Sequence, residues 1–122
     1  MANAALFIGY GPPLQGREQK SLQVFGEAIQ YYGRLQQQGQ IESFEPVFLE
    51  PHGGRLSGFI LLRGERDALN RVRYTEEFLS LTNRASLVVQ NVGIVSAFIG
   101  DEQNRLFQDF QAQASALGQS GS

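Results

Sequence analysis

Hydrophobic residues are spaced in two ways along this chain, and the spacing predicts alternating strands and helices. A short apolar run over residues 4–10 ends at Gly11-Pro12-Pro13 and predicts a strand that is buried on both faces. Over residues 17–38 the apolar positions fall three or four apart, which predicts a helix ending near Gly39. The apolar stripe of this helix consists of Leu22, Phe25, Ile29, Tyr32 and Leu35.

Two strand-like segments, residues 41–51 and 56–63, flank His52-Gly53-Gly54, a sequence that suits a tight hairpin turn. Pro46 lies in the first of them and cannot donate to a β-ladder. We therefore expect this strand at a sheet edge or with a bulge. A last apolar strand is predicted over residues 92–99.

Two further helices are predicted in the second half of the chain. The first covers residues 65–81 and is followed by a short helical or irregular link over residues 82–90. Its predicted buried stripe consists of Leu69, Val72, Phe78 and Leu79. The other covers residues 101–117 and precedes a polar tail, residues 118–122, that we expect to be disordered. Its predicted inward-facing stripe consists of Leu106, Phe107, Phe110 and Ala114.

The predicted order of elements is β-α-β-β-α-β with an extra C-terminal helix, which is the ferredoxin-like α+β arrangement. In that topology the first and third strands are central and the Pro46 strand lies at an edge. Two covering helices shield one sheet face, yet the strands are apolar on both faces. In the third strand, Phe59 and Leu61 are expected on one face, and Ile60 and Leu62 on the other. We therefore expect a homodimer in which a second copy covers the open face.

Length and composition fit one globular domain, which we place over residues 1–117 of the 122-residue chain. The apolar fraction is 42% and the charged fraction 18%, both ordinary for a folded domain. The chain has no cysteine, which excludes disulfides, zinc–thiolate sites, iron–sulfur clusters and cysteine nucleophiles.

Charge and hydropathy predict neither a nucleic acid nor a membrane as partner. The formal net charge is −2 and the ten basic residues are scattered, without the basic stripe that binds a phosphate backbone. No apolar stretch approaches the ~20 residues that span a bilayer. The N-terminal residues resemble a strand rather than a signal peptide, so the expected location is cytoplasmic.

Several turn and strand patterns in the chain resemble a known group of proteins. They are the stretch EPHGGRLSGF over residues 50–59, the pairs Arg63-Gly64 and Arg84-Ala85, and NVGIV over residues 91–95. Together they resemble small uncharacterised bacterial proteins of the dimeric α+β barrel superfamily, over most of residues 4–100. The resemblance implies the ferredoxin-like fold and a dimer. It implies no activity, because that superfamily includes cofactor-free oxygenases, isomerases, haem enzymes and regulators.

A glycine-rich segment, residues 9–16, follows a predicted strand and precedes a helix, where a phosphate-binding loop would lie. The dinucleotide pattern requires glycine at position 14, where this chain has Leu14. The P-loop requires a lysine and a hydroxyl residue after its last glycine, where this chain has Arg17-Glu18. Turn formation therefore explains these glycines better than nucleotide binding.

Four residues are candidates for a ligand site: Tyr10, Glu45, His52 and Arg63. Glu45 and Arg63 interrupt apolar strands and are expected to be cross-strand neighbours. With Tyr10 placed at the same sheet end, the three could rim the mouth of a cavity. The alternative, which the pattern favours, is a salt bridge with Tyr10 reaching water. His52 is the only histidine, so we predict no metal site, and any site is expected near Tyr10 and Arg63 instead.

Two functions remain open from the sequence. The favoured one is a small-molecule-binding or interaction module for a small apolar or anionic ligand, because no nucleophile–base pair is visible. The alternative is a cofactor-independent enzyme of the oxygenase or isomerase type. It would use Tyr10 or His52 as proton donor or acceptor and Arg63 to hold a developing negative charge. No haem, flavin or other cofactor is expected.

Overall fold

A computed structural model describes residues 3–118 and contains four strands and four helices within that range. In chain order they are β1 (Ala4–Tyr10), α1 (Glu18–Gln37), β2 (Ser43–Phe48), β3 (Gly58–Gly64), α2 (Arg66–Arg73), α3 (Glu76–Ser86), β4 (Gly93–Ala97) and α4 (Gly100–Ala116). The predicted disordered tail covers residues 118–122, and its part beyond Gly118 lies outside the described residues.

The four strands form one antiparallel sheet in the order β2-β3-β1-β4. The predicted ferredoxin-like α+β fold is confirmed, with β1 and β3 central and the Pro46 strand at an edge. Leu6 pairs with Leu62 and Ile8 with Ile60, and these residues face the helices. The buried core on this side consists of Ala4, Leu6, Ile8, Ala28, Tyr31, Tyr32, Leu35, Ile41, Ile60, Leu62, Leu69, Val72 and Phe78.

Helices α1, α2 and α3 cover this face of the sheet, α1 packing on α3 and α2 on the two central strands. Ion pairs join α1 to α3 at the surface. Arg84 donates two 2.9 Å hydrogen bonds to the Glu27 carboxylate, and Arg34 donates one of 2.6 Å to Glu77. The hydrogen bond from Arg84 lowers the pKa of Glu27. These exposed pairs orient the two helices and contribute modestly to stability.

The single helix predicted over residues 65–81 is wrong, because the chain forms two helices that meet at Thr75. The Thr75 hydroxyl accepts a 3.3 Å hydrogen bond from the Phe78 amide and donates one of 2.8 Å to the Val72 carbonyl. Threonine followed by two glutamates is a typical helix start. Helix α3 then continues through much of the predicted link, and Leu79, predicted to be buried, is 45% exposed.

The other face of the sheet carries an apolar surface that none of these three helices covers, as the sequence predicted. Its centre consists of Phe7, Phe59, Leu61 and Val95. The Phe7 and Phe59 rings stack with centroids 5.1 Å apart, and Val95 is 55% exposed. We call this surface the open face.

Helix α4 does not pack inward as predicted. None of its residues is buried, and it makes no extensive contact with another described element. Its most exposed apolar side chains are Leu106, Phe107 and Phe110, followed beyond the helix by Leu117. The physical reason is that α1, α2 and α3 already cover the helix-facing side of the sheet.

Arg66 attaches the first turn of α4 to the sheet. Its guanidinium donates to both carboxylate oxygens of Glu102, at 3.1 and 2.7 Å, and to the carbonyl oxygens of Ala5 and Ala97, at 3.0 and 2.9 Å. Beyond this anchor the helix makes little contact with the other elements of its chain. Among the described residues, no helix is both long and apolar enough to cross a bilayer.

Candidate functional site

A pocket of about 250 Å³ lies between the helix-facing side of the sheet, α1 and α3, near the end of β1. Side chains from all three elements form its walls, including Val24, Phe25 and Ala28 from α1, Ile60 from β3, and Leu81 and Ala85 from α3. None of the described residues that line it is charged. The pocket is therefore suited to an apolar ligand and unsuited to an ion.

The glycine-rich loop forms one wall of this pocket. The Gly11 amide donates to the Gln90 carbonyl at 2.7 Å, and the Leu14 amide donates to the Val88 carbonyl at 2.8 Å. A Cβ at Gly11 would lie 2.9 Å from the carbonyl oxygens of Arg55 and Gln90, so close backbone approach requires glycine here. These two amides are already bonded within the chain and are not available to a phosphate.

Tyr10 contributes a polar group to this apolar site. Its side chain lies over Gly58, its cross-strand partner. A Cβ added at Gly58 would lie only 2.6 Å from the Tyr10 hydroxyl oxygen. Within residues 3–118 this oxygen is the one buried side-chain polar atom without a hydrogen-bond partner. Burial raises the pKa of Tyr10, so the group is a neutral phenol at physiological pH.

Two other hydroxyls of the pocket lining already have hydrogen-bond partners. The Ser21 hydroxyl donates to the Glu18 carbonyl at 2.7 Å, and the Thr82 hydroxyl donates to the Phe78 carbonyl at 2.9 Å. Burial also raises the pKa of Tyr32, which is 4% exposed. Neutral phenols therefore dominate the polar chemistry that the lining can offer.

Exposed apolar side chains mark the mouth of the pocket. Phe48, on the edge strand β2, lines the pocket and is 71% exposed, and Leu22 of α1 is similarly exposed. The Phe25 ring lies 5.3 Å from that of Phe48 and 6.4 Å from that of Tyr10, measured between centroids. The entrance is thus aromatic on the side of Tyr10.

The predicted pair of Glu45 and Arg63 is confirmed, with 3.0 Å between the guanidinium and the carboxylate. The predicted grouping of this pair with Tyr10 is wrong. Because β1 and β3 are antiparallel, Arg63 pairs with Ala5 at one end of the sheet and Tyr10 with Gly58 at the other. Side-chain alternation also places the ion pair on the open face and Tyr10 on the helix-facing side. The arginine is therefore remote from the pocket.

His52 lies in the exposed connection between β2 and β3 and does not line the pocket. Its Nε2 lies 2.9 Å from the Leu56 carbonyl, and its Nδ1 accepts a 3.3 Å hydrogen bond from the Gly54 amide. These contacts order the loop next to Gly53, which has a φ of 86°. Among residues 3–118, no three or more histidines, cysteines or acidic residues cluster in a way that could hold a metal ion.

Sequence reasoning found Tyr10 but missed the rest of the pocket. Its α3 wall falls partly in the segment predicted as a short helical or irregular link. The available signal was Thr75, whose capping sequence starts a separate helix that carries Leu81 and Ala85 to the pocket.

No protein-family model matches the chain, and no curated protein resembles it significantly in sequence. Solved structures do resemble it in fold. A dimeric protein of unknown function with a ferredoxin-like fold, from Bacteroides fragilis, has a TM-score of 0.57 at 10% identity and covers 79% of this chain and 96% of its own.

Two further structures are similar to a comparable degree. A protein from Pseudomonas aeruginosa has a TM-score of 0.55 at 18% identity, covering 80% of this chain and 95% of its own. SnoaB, a cofactor-independent oxygenase from Streptomyces nogalater, has a TM-score of 0.50 at 14% identity, covering 82% and 98%. At these identities the similarity establishes a shared fold. The ferredoxin-like fold that the sequence resemblance implied is confirmed.

Proposed function

We propose that this protein binds a small, uncharged and predominantly apolar organic molecule in the pocket between β1, α1 and α3. The observation that supports it is the lining, which is apolar, uncharged and open at an aromatic mouth. Ligand sites in proteins typically combine such walls with a few polar groups that orient the ligand. Of the two ligand classes that the sequence left open, this lining favours the apolar one over the anionic one.

Filling the pocket tests this function. The Ala85→Phe variant places a ring in the space from the α3 wall, and Ser86→Phe adds the same ring at the neighbouring exposed position outside the lining. The probe is N-phenyl-1-naphthylamine, an uncharged apolar fluorophore. We expect its fluorescence to rise with the wild type and with Ser86→Phe, and to stay low with Ala85→Phe. Absence of binding to the wild type, or equal binding to both variants, would contradict the proposal.

Cofactor-independent catalysis is the second candidate function, and the unpartnered Tyr10 hydroxyl favours it. A neutral phenol inside an apolar site can donate a proton to a bound substrate. SnoaB, which shares the fold, is a cofactor-independent oxygenase. Arg63 has no part in this scheme, because it lies on the open face at the other end of the sheet.

Oxygen consumption separates catalysis from binding. Ligands that displace the fluorophore are incubated with the protein in air, and oxygen uptake and products are followed. Uptake that depends on Tyr10, and is lost in Tyr10→Phe, would establish the oxygenase reaction. Binding without oxygen uptake or product formation would leave the binding function alone.

We infer further that the protein is a homodimer that pairs through the open face and α4. A sheet face carrying Phe7, Phe59 and Leu61 leaves more apolar surface in water than an isolated domain usually tolerates. The aromatic stripe of α4 is likewise uncovered, and a lone helix of this length is marginal in water without packing. The similar protein from Bacteroides fragilis is dimeric. A two-fold partner would cover both surfaces at once.

Sedimentation equilibrium tests the assembly. We expect a mass of twice 13.5 kDa at micromolar concentration. A monomer at that concentration would contradict the dimer and would leave the pocket unaffected, since the pocket lies on the other side of the sheet.

A further inference from the structure

We propose that the pocket selects ligands that carry a carbonyl oxygen, which accepts a hydrogen bond from the Tyr10 hydroxyl. This inference rests on the binding function above and specifies the chemistry of the ligand. The ligand class is a small uncharged ketone, aldehyde, quinone or ester whose remaining surface is apolar.

The unpaired state of Tyr10 supports this specificity. A buried hydroxyl without a partner is uncommon in folded proteins, because it has lost its bonds to water and gained none in exchange. The Tyr10 hydroxyl oxygen is in this state although the ring lines the pocket. A ligand that offers an acceptor beside the ring would restore the missing bond, and a hydrocarbon would not.

The rest of the lining favours an uncharged acceptor that carries no proton of its own, such as a carbonyl oxygen. Ser21 and Thr82 already donate to helix carbonyls, which leaves the hydroxyls of Tyr10, Tyr32 and Ser57 as donors in the lining. Of these three, the Tyr10 oxygen is the fully buried one without a partner. A carboxylate would bring a charge into a lining that has no cation, which is costly. A carbonyl oxygen accepts the bond without carrying a proton that itself needs a buried acceptor.

Access to the hydroxyl lies at the edge strand. Gly58 pairs with Tyr10 on one side and with Phe48 on the other, and the Tyr10 hydroxyl lies over the glycine between them. Phe48 is 71% exposed, so its ring can turn aside with little loss of buried surface. We therefore expect a ligand that enters at this mouth to reach the hydroxyl once the Phe48 ring turns aside.

A matched set of ligands tests the selection. The probes are 1-tetralone, its hydrocarbon analogue tetralin, and 1,2,3,4-tetrahydro-1-naphthoate, which places a carboxylate on the same ring system. Each competes with N-phenyl-1-naphthylamine for the wild type, for Tyr10→Phe, and for Tyr31→Phe, a tyrosine outside the pocket lining. We expect Tyr10→Phe to weaken the binding of 1-tetralone about five- to ten-fold and to change the affinity for tetralin by less than about two-fold. Tyr31→Phe should change neither, and the carboxylate should bind worst throughout.

The outcomes separate this inference from the binding function. If Tyr10→Phe changes the affinities for 1-tetralone and tetralin equally, the proposed carbonyl specificity is wrong and the binding function stands. If no probe or fluorophore binds the wild type, the binding function itself fails. A second measurement is the infrared carbonyl stretch of bound 1-tetralone. It should lie at lower frequency in the wild type than in Tyr10→Phe, and equal frequencies would overturn the inference.

Discussion

At the scale of single residues, Tyr10 and Gly58 depend on each other. The glycine leaves room for the tyrosine ring, and an added Cβ would lie 2.6 Å from the hydroxyl oxygen and 2.7 Å from the Val47 carbonyl oxygen. The first contact could relax by moving the ring, but the second is with backbone on a paired strand. The mouth of the pocket is therefore intolerant of any side chain at this position.

The Gly58→Ala substitution should lower the free energy of unfolding by about 1–3 kcal/mol, the usual range for overpacking. Urea denaturation measures it. The matched control is Gly93→Ala, also in a strand, where nothing lies within 4 Å of the added Cβ. The control should change stability by less than about 0.5 kcal/mol. Equal effects of the two substitutions would show that the Val47 carbonyl and the Tyr10 ring do not close the space beside Gly58.

Removing the Tyr10 hydroxyl should not destabilise the ligand-free protein. Because the oxygen is buried without a partner, Tyr10→Phe is expected to leave the free energy of unfolding unchanged or raise it by up to about 1 kcal/mol. The control is Tyr31→Phe. The Tyr31 hydroxyl lies 3.4 Å from the Thr75 hydroxyl, so its removal should not raise the free energy of unfolding. A clear loss of stability in Tyr10→Phe, measured by urea denaturation without ligand, would mean that the hydroxyl has a partner.

At the scale of elements, α4 depends on one anchor rather than on a packed face. Hydrogen bonds from Arg66 hold the pKa of Glu102 below its usual range. The pKa is therefore lower in the folded than in the unfolded chain. The stabilisation is complete above the unfolded value, about 4.3, and is lost as the pH falls through the folded value.

Acidification should therefore release the start of α4. We expect NMR carbon shifts of its first two turns to move towards coil values as the pH falls below about 4. In Glu102→Gln the same shifts should be displaced already at neutral pH and should vary little with pH. Parallel titration of the wild type and the variant would contradict a role for this carboxylate in anchoring the helix.

At the scale of the whole molecule, the proposed dimer depends on the open face. Leu61 lies at its centre, between Glu45 of β2 and Phe7 of β1. We expect Leu61→Asp to weaken the proposed dimer at least about ten-fold, because the buried carboxylate would lack a partner. The control is Leu87→Asp, an exposed leucine after α3 and off the sheet. Sedimentation velocity measures dissociation, with circular dichroism to verify folding. Equal association of both variants would exclude the open face from the interface.

Much of the fold follows from patterns that are local in the sequence. Alternation and apolar runs predicted β1 with its observed bounds, and Pro46 predicted an edge strand because proline lacks the amide that a central strand needs. Helical spacing located α1 and α4. The order of these elements was enough for the ferredoxin-like topology, since short connections leave few ways to arrange them.

The candidate site was decided by tertiary structure. Antiparallel register placed Tyr10 beside Gly58 and separated it from Arg63, although both lie at the ends of apolar runs. The stripe of α4 predicts an amphipathic helix but cannot tell which surface covers it, and within one chain the inner side of the sheet was already covered. Periodicity reports what neighbouring residues do, whereas register, pocket walls and covered faces depend on contacts between residues far apart in sequence.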